Sequence, residues 1–254
     1  MRYISKHKPI HNLIGHRGTF LLIIFLVIGG GKLFAQELAA KLAEEIAQAQ
    51  GKEKVDLLNQ SSIKLENTRP IQARDYAQQA LDLAQSISYA SGEALALKNL
   101  GNIYLLQGNN AYSLEFFLEA LQNYERLGQE TRIAETLNNI GIVYQKLRKY
   151  NRAKEYYARV LEIDEKTQDL KGQASTLNNI GDIHYQENKF EEALQNYNRS
   201  LKIREEIGDQ TGVAISLQNI GLVEYTQTNY ASALSNYKRA IHINREMGNR
   251  ANSA

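Results

Sequence analysis

Residues 137–144 read LNNIGIVY. The same stretch returns at 177–184 as LNNIGDIH and at 217–224 as LQNIGLVE, and LKNLGNIY precedes them at 97–104. The step is 40 residues each time. Other columns keep it: Phe117, Tyr157, Tyr197 and Tyr237; Leu121, Leu161, Leu201 and Ile241; Ala94, Ala134, Ala174, Ala214 and Ala254. So many coincident columns at one spacing mark stacked supersecondary units.

Each unit reads as two helices. Ala94, Leu97, Leu100, Gly101 and Tyr104 fall within one arc at ~100° per residue, which is the core face of an amphipathic helix. The glycine removes a side chain from that face and lets a partner helix approach, at a cost of roughly 1 kcal/mol in helix propensity. Short polar turns follow, such as Gly108-Asn109-Asn110 and Asn188-Lys189-Phe190. The second helix then carries Ser113, Ala153, Ala193 or Ala233, the aromatic column and the Leu121 column. Small alanine opposite small glycine, beside a large ring, lets two antiparallel helices interlock. Gly208-Asp209 and Gly248-Asn249 are expected to break one unit from the next.

These columns resemble the tetratricopeptide repeat, with Leu-Gly and Tyr on the first helix and Ala, aromatic and Ala on the second. The resemblance covers about residues 53–250. Ala120 and Ala240 match the last alanine of the pattern, whereas Val160 and Ser200 depart from it. Tyr104 and Tyr144 match the tyrosine position; His184 and Glu224 replace it later, with Tyr185 and Tyr225 one place on. The proline that usually ends the second helix is replaced by Glu125, Glu165, Glu205 and Arg245. Longer second helices are therefore expected, which would account for a step of 40. The resemblance implies an all-α, right-handed superhelical solenoid of helix-turn-helix repeats, about five units, as in long-repeat scaffold proteins and bacterial sensors.

One step earlier the register persists weakly. Leu57, Ala73, Ala77, Ala80 and Leu81 fit, but Gln60, Ser61 and Lys64 replace Leu, Gly and Tyr. Pro70 stands near the start of that unit's second helix, where proline is tolerated. Residues 37–50 look like one more polar helix, suited to capping a solenoid end. The chain thus divides into 1–35, a leader; 36–52, a capping helix; 53–90, a divergent unit; full units over 91–130, 131–170, 171–210 and 211–247; and 248–254, the opening of a further unit. That last segment implies that the natural product continues.

The leader is basic: Arg2, Lys6, Lys8, Arg17 and Lys32 occur without an acid. The formal total is +2, which leaves the remainder at −3. Such a body has no basic footprint for nucleic acid. Phe20 to Ile28 is continuously apolar and ends in Gly29-Gly30-Gly31-Lys32 before Leu33-Phe34-Ala35-Gln36. A charged start, a short apolar run and a small residue form a signal peptide, with cleavage expected between Ala35 and Gln36. The run is too short for the ~20 residues of a spanning helix. An uncleaved N-terminal anchor is the alternative, and it alone would embed the chain in a membrane. The chain has no cysteine, which excludes a lipid-modified leader, disulfides and thiolate metal sites. Lys32 lacks the glycine spacing and the following Ser or Thr of a phosphate loop.

On the first helices Leu95, Lys98, Asn99, Asn102, Leu106 and their equivalents face away from the unit's own core. The resemblance makes this the concave binding face. Its candidate peptide-binding residues are Lys98, Asn99, Asn102, Asn138, Asn139, Asn178, Asn179, Asp182, Gln218 and Asn219, with Ile142, Leu222, Tyr185 and Tyr225 as pocket walls. Amides offer donors and an acceptor, so they can hold a peptide backbone without demanding its sequence. The alternative is that the asparagines join neighbouring helices. Lys98, Asn102 and Asn139 also resemble part of a clamp for a C-terminal carboxylate, although Ser175 and Asn179 stand where its later basic residues belong.

Nothing in the sequence assembles a catalytic set, a cofactor site or a metal site. His184 and His242 lie in different units, and His184 replaces a core tyrosine. Glu191-Glu192 and Glu205-Glu206 read as solvated helix faces. The expected function is an exported scaffold for a protein or peptide partner. The alternative is the extracytoplasmic sensory region of a longer kinase, cyclase or transcription regulator.

Overall fold

The structure is a computed structural model and describes residues 37–251. The expected leader lies outside the described residues. Among these residues every element is a helix: α1 (37–48), α2 (Gly51–Leu65), α3 (Pro70–Ser86), α4 (Ala90–Leu106), α5 (Asn110–Leu127), α6 (Glu130–Lys146), α7 (Tyr150–Thr167), α8 (Leu170–Gln186), α9 (Phe190–Glu206), α10 (Gln210–Thr226) and α11 (Tyr230–Ala251). From α2 onward they form five antiparallel pairs. Each pair packs on the next through a second helix and the following first helix.

The glycine and aromatic columns interlock. A Cβ on Gly101 would stand 2.5 Å from the Phe117 ring, one on Gly141 2.5 Å from Tyr157 and one on Gly181 2.6 Å from Tyr197. The rings of Phe117, Tyr157 and Tyr197 are almost wholly buried. Ser113, standing where later units have alanine, is also buried and donates its hydroxyl to Gly101 O at 2.9 Å. A polar group so enclosed is tolerated because it is bonded.

The turns set the period. The positions at 108, 148, 188 and 228 carry Gly108, Arg148, Asn188 and Thr228, all with positive φ. So do Ser88, Gly128, Gln168 and Gly208, another 40-step column. A left-handed residue after a helix turns its last carbonyls onto the chain's own N–H groups. Gly128 N, for example, bonds Glu125 O at 3.2 Å. Asn109, Asp169 and Asp209 then cap the next helices through their side chains.

Three expectations are corrected. First helices α4, α6, α8 and α10 have 17 residues each and second helices α5, α7 and α9 have 17 or 18, so the long step is not carried by the second helices alone. Helix α1 is amphipathic rather than polar, because Ala39, Leu42 and Ile46 bury into the cluster formed with α2 and α3. Helix α11 runs through Gly248 and Asn249 without the expected break. Among the described residues nothing lies within 4 Å of a Gly248 Cβ. With no following helix packed there, nothing in the described residues forces a turn.

First helices α2 and α4, α4 and α6, and α6 and α8 also touch each other across units. Successive second helices do not make comparable contact, so the first helices follow the shorter, inner arc.

Candidate functional site

The inner arc carries the asparagine column. Asn139 Nδ2 donates to Asn102 Oδ1 at 3.0 Å, Asn179 Nδ2 to Asn138 Oδ1 at 2.9 Å, and Asn219 Nδ2 to Asn178 Oδ1 at 3.0 Å. Each bond joins one unit to the one before. Asn99 Nδ2 reaches Asn59, to its main-chain oxygen at 3.2 Å and its Oδ1 at 3.1 Å. Asn59 is the column's member in the divergent unit. It escaped the sequence reading, although stepping back 40 residues from Asn99 finds it.

Three of the candidate residues, Lys98, Asn99 and Asn178, are therefore not displayed as expected. Asn99 is 1% exposed and Lys98 8%. Lys98 is turned into an ion pair with Glu135 of the next unit, which also accepts from Arg132 at 3.0 Å. The expectation failed because a helical-wheel angle places a residue relative to its own unit, whereas these side chains are covered by the neighbouring one. Lys98, Asn102 and Asn139 are already engaged with protein partners, so their first call is on each other's units rather than on a free carboxylate. Asn178 is also buried; Asn102, Asn138, Asn139, Asn179, Asp182 and Asn219 are half-buried, and Gln218 is exposed.

Asp182 accepts from Tyr197 Oη at 2.7 Å and from Asn219 Nδ2 at 3.4 Å. Burial pushes its carboxyl above the ordinary range, against the Tyr197 hydrogen bond and the charge of Arg204. Asn179 and Asp182 border a cavity of about 630 Å³ between α6 and α8, walled also by Ile142, Tyr150 and Gln186. Ile142 thus lines a pocket. Leu222 and Tyr225 stand exposed on α10, Tyr225 at 58%. The displaced tyrosines pair with the start of the following helix, Tyr185 against Phe190 and Tyr225 against Tyr230, at ring centroids 5.9 and 5.5 Å apart. Tyr104 and Tyr144 instead stack on Phe116 and Tyr156.

His184 is partly buried with Nδ1 3.6 Å from Glu187 Oε2. Burial and the charge of Lys154 hold its pKa below the ordinary value. Glu187 itself receives Lys154 and Lys189, each at 3.2 Å.

A second cavity, of about 380 Å³, lies between α6, α7 and α8 and includes Asp164 in its wall. Asp164 was not singled out in the sequence, because its column carries no common residue: Ala84, Tyr124, Asp164 and Arg204. The available signal was an acid placed seven residues after core Tyr157, on the buried face.

The tetratricopeptide repeat profile matches residues 55–126, 92–166, 132–206 and 172–246. The chain belongs to the tetratricopeptide-repeat family. Its 40-residue units are a long variety of that repeat, and its fold is the family's right-handed superhelical solenoid. Among curated proteins none matches the chain in sequence. Similar solved structures include BtubC (BKLC) from P. vanneervenii, at TM-score 0.72 and 22% identity over 84% of this chain and 92% of that one. Another is the apo quorum sensor NprR from B. thuringiensis, at 0.67 and 18% over 88% of this chain and 63% of that one. A third is a Rap protein complexed with competence and sporulation factor, at 0.66 and 15% over 89% and 74%. At these identities the likeness is one of fold.

Proposed function

We propose that this tetratricopeptide-repeat chain is a scaffold that holds an extended peptide or protein segment along its inner arc. The observation that carries the reading is the cavity between α6 and α8, where Ile142 and Tyr150 supply a small apolar wall among the polar and charged groups of Gln145, Lys146, Arg148, Asn179, Asp182 and Gln186. Convergent hydrogen-bonding groups around a small apolar wall suit a peptide backbone that carries an apolar side chain. Exposed Leu106, Leu222 and Tyr225 extend it along neighbouring units. A Rap protein of similar fold is complexed with competence and sporulation factor, which is in keeping with a peptide or protein partner. The residues with surface toward a ligand are Asn102, Asn138, Asn139, Asn179, Asp182, Gln218 and Asn219, all but Gln218 also bonded within the protein, with Lys98, Asn99 and Asn178 supporting them from beneath. Read with the leader, the scaffold acts outside the cytoplasm, and the secreted product then begins at Gln36 by mass.

Selection of random linear peptides on the purified chain tests the binding. Enriched peptides should bind the wild type at least tenfold more tightly than Ile142→Glu, whose helical circular dichroism should match. Enriched peptides that bind both alike would sink this groove.

A further inference from the structure

Asp164 is 3% exposed, and its Oδ2 has no hydrogen-bond partner among the described residues. An ionised carboxylate so placed is costly unless something cationic meets it. Asp169, the N-cap of α8, stands beside it. A Cβ on Gly172 would lie 2.7 Å from Asp164 Oδ2 and 2.7 Å from Asp169 Oδ2, so the two carboxylates converge on the bare glycine backbone. Asp169 Oδ1 is taken by Gly172 N at 2.9 Å. Among the described residues no Lys, Arg or His lines the cavity of about 380 Å³ into which this pair faces. Its third acid, Glu135, already has Lys98 and Arg132.

The next interface along the chain holds the same frame with one change. Asp164, Asp169, Gly172 and Thr176 become Arg204, Asp209, Gly212 and Ser216 one step later. There the Arg204 guanidinium is buried, and its Nη1 donates to Gly212 O at 2.6 Å and to Ser216 Oγ at 3.2 Å. The solenoid thus builds one interface around its own guanidinium. In the preceding one it keeps the acceptors, adds a carboxylate and leaves the space open.

We propose that the cavity at Asp164 receives a guanidinium group from outside the chain, carried by an arginine side chain of the bound peptide. Asp164 would take the two N–H groups that a planar guanidinium presents side by side, while Gly172 O and Thr176 Oγ1 match the acceptors used by Arg204. A metal ion fits less well, since no group of three His, Asp or Glu side chains converges among the described residues. The inference takes its occupant from the peptide-binding reading, but its chemistry stands on Asp164 alone.

Burial, then the neighbouring Asp169, pushes the Asp164 carboxyl up to about 6. The charged groups facing the cavity are Asp164 on α7, Asp169 at the start of α8 and the Lys98- and Arg132-paired Glu135 on α6. Cation binding should therefore be full at pH 8 and fall away below pH 6.

Calorimetric titration of the full chain with N-acetyl-arginine amide tests the proposal, with the neutral isostere N-acetyl-citrulline amide beside it. The arginine compound should bind at least tenfold more tightly at pH 8. Asp164→Asn should lose that preference. Asp164→Arg, which supplies a guanidinium as Arg204 does, should lose binding while raising the melting temperature. Free arginine binding more weakly than the blocked amide supports a peptide-borne source; free arginine binding tenfold more tightly overturns that source. Equal binding of the two amides, retention of the preference in Asp164→Asn, or saturable calcium binding at the cavity overturns the proposal. Ile142→Glu should keep the amide and lose the selected peptides, so the groove and the cavity fail separately.

Discussion

Two positions show how differently a single backbone site can treat glycine. Gly141 is helical and faces the Tyr157 ring, so even one methyl would have to displace a buried aromatic. Alanine would gain about 1 kcal/mol in helix propensity, yet overpacking of this kind costs roughly 1–3 kcal/mol. Thr228 is the reverse case, a β-branched residue at φ 65° where Gly108 stands three units earlier. The left-handed conformation costs an L-residue roughly 1–2 kcal/mol, and glycine gives back about 0.5–1 kcal/mol of that in unfolded-chain entropy. Gly141→Ala should therefore lower the denaturant midpoint and Thr228→Gly should raise it. Shifts of the same sign would contradict the assigned roles. Asp164 makes a pH-dependent claim at the same scale. Its folded pKa of about 6 lies above the 3.8 of an ordinary aspartate, so the folded chain binds the extra proton between those values. Stability supplied by this group is thus present at low pH and is lost as pH rises through about 6. The loss is on the order of 2–3 kcal/mol. Asp164→Asn should match the wild type near pH 4 and exceed it at pH 8. Urea unfolding at both values measures the difference, and a constant gap would refute it.

At the scale of helices, what the sequence revealed and what it hid separate by cause. The columns through Leu97, Gly101, Ser113 and Phe117 are legible because every unit needs the same interlock, so repetition exposes them. Pro70 at the first position of α3 was legible for a local reason, its missing N–H. The extent of α11 was not, because a glycine followed by asparagine is a stop signal only when a neighbour supplies the turn. Asp164 and Arg204 escaped for the opposite reason to the columns. They lie where units differ, and a reading built on recurrence discards such positions. Lys98 and Asn99 were placed on the correct side of their own helix and still misjudged, since Lys98 is engaged by the next unit and Asn99 by the preceding one. That engagement depends on the angle between units, which no single unit's sequence contains.

The whole molecule is a row of units whose stability is nearly a sum of unit terms and neighbour terms. The asparagine ladder belongs to the neighbour terms: Asn179 to Asn138 and Asn219 to Asn178 each cross one junction, and the Arg159–Glu125 pair at 2.9 Å crosses another on the outer side. The exposed ion pair contributes little in water. The half-buried amides contribute about 1 kcal/mol each. Removing two of them weakens the coupling between three consecutive units while leaving each unit's own core, such as Tyr197 against Gly181, intact. The expected consequence is a change in shape as well as in position of the unfolding curve. Asn179→Ala with Asn219→Ala should lower the total stability by about 1–3 kcal/mol and broaden the urea transition, because terminal units can then open alone. A control of similar cost inside one unit, Ala193→Gly, should shift the midpoint with less broadening. Urea titrations followed by circular dichroism distinguish the two. A double variant with a curve as steep as that of the wild type would mean that apolar packing between second and first helices carries the coupling by itself. The asparagines would then be free to serve a bound peptide, with their bonds to neighbours merely the resting state.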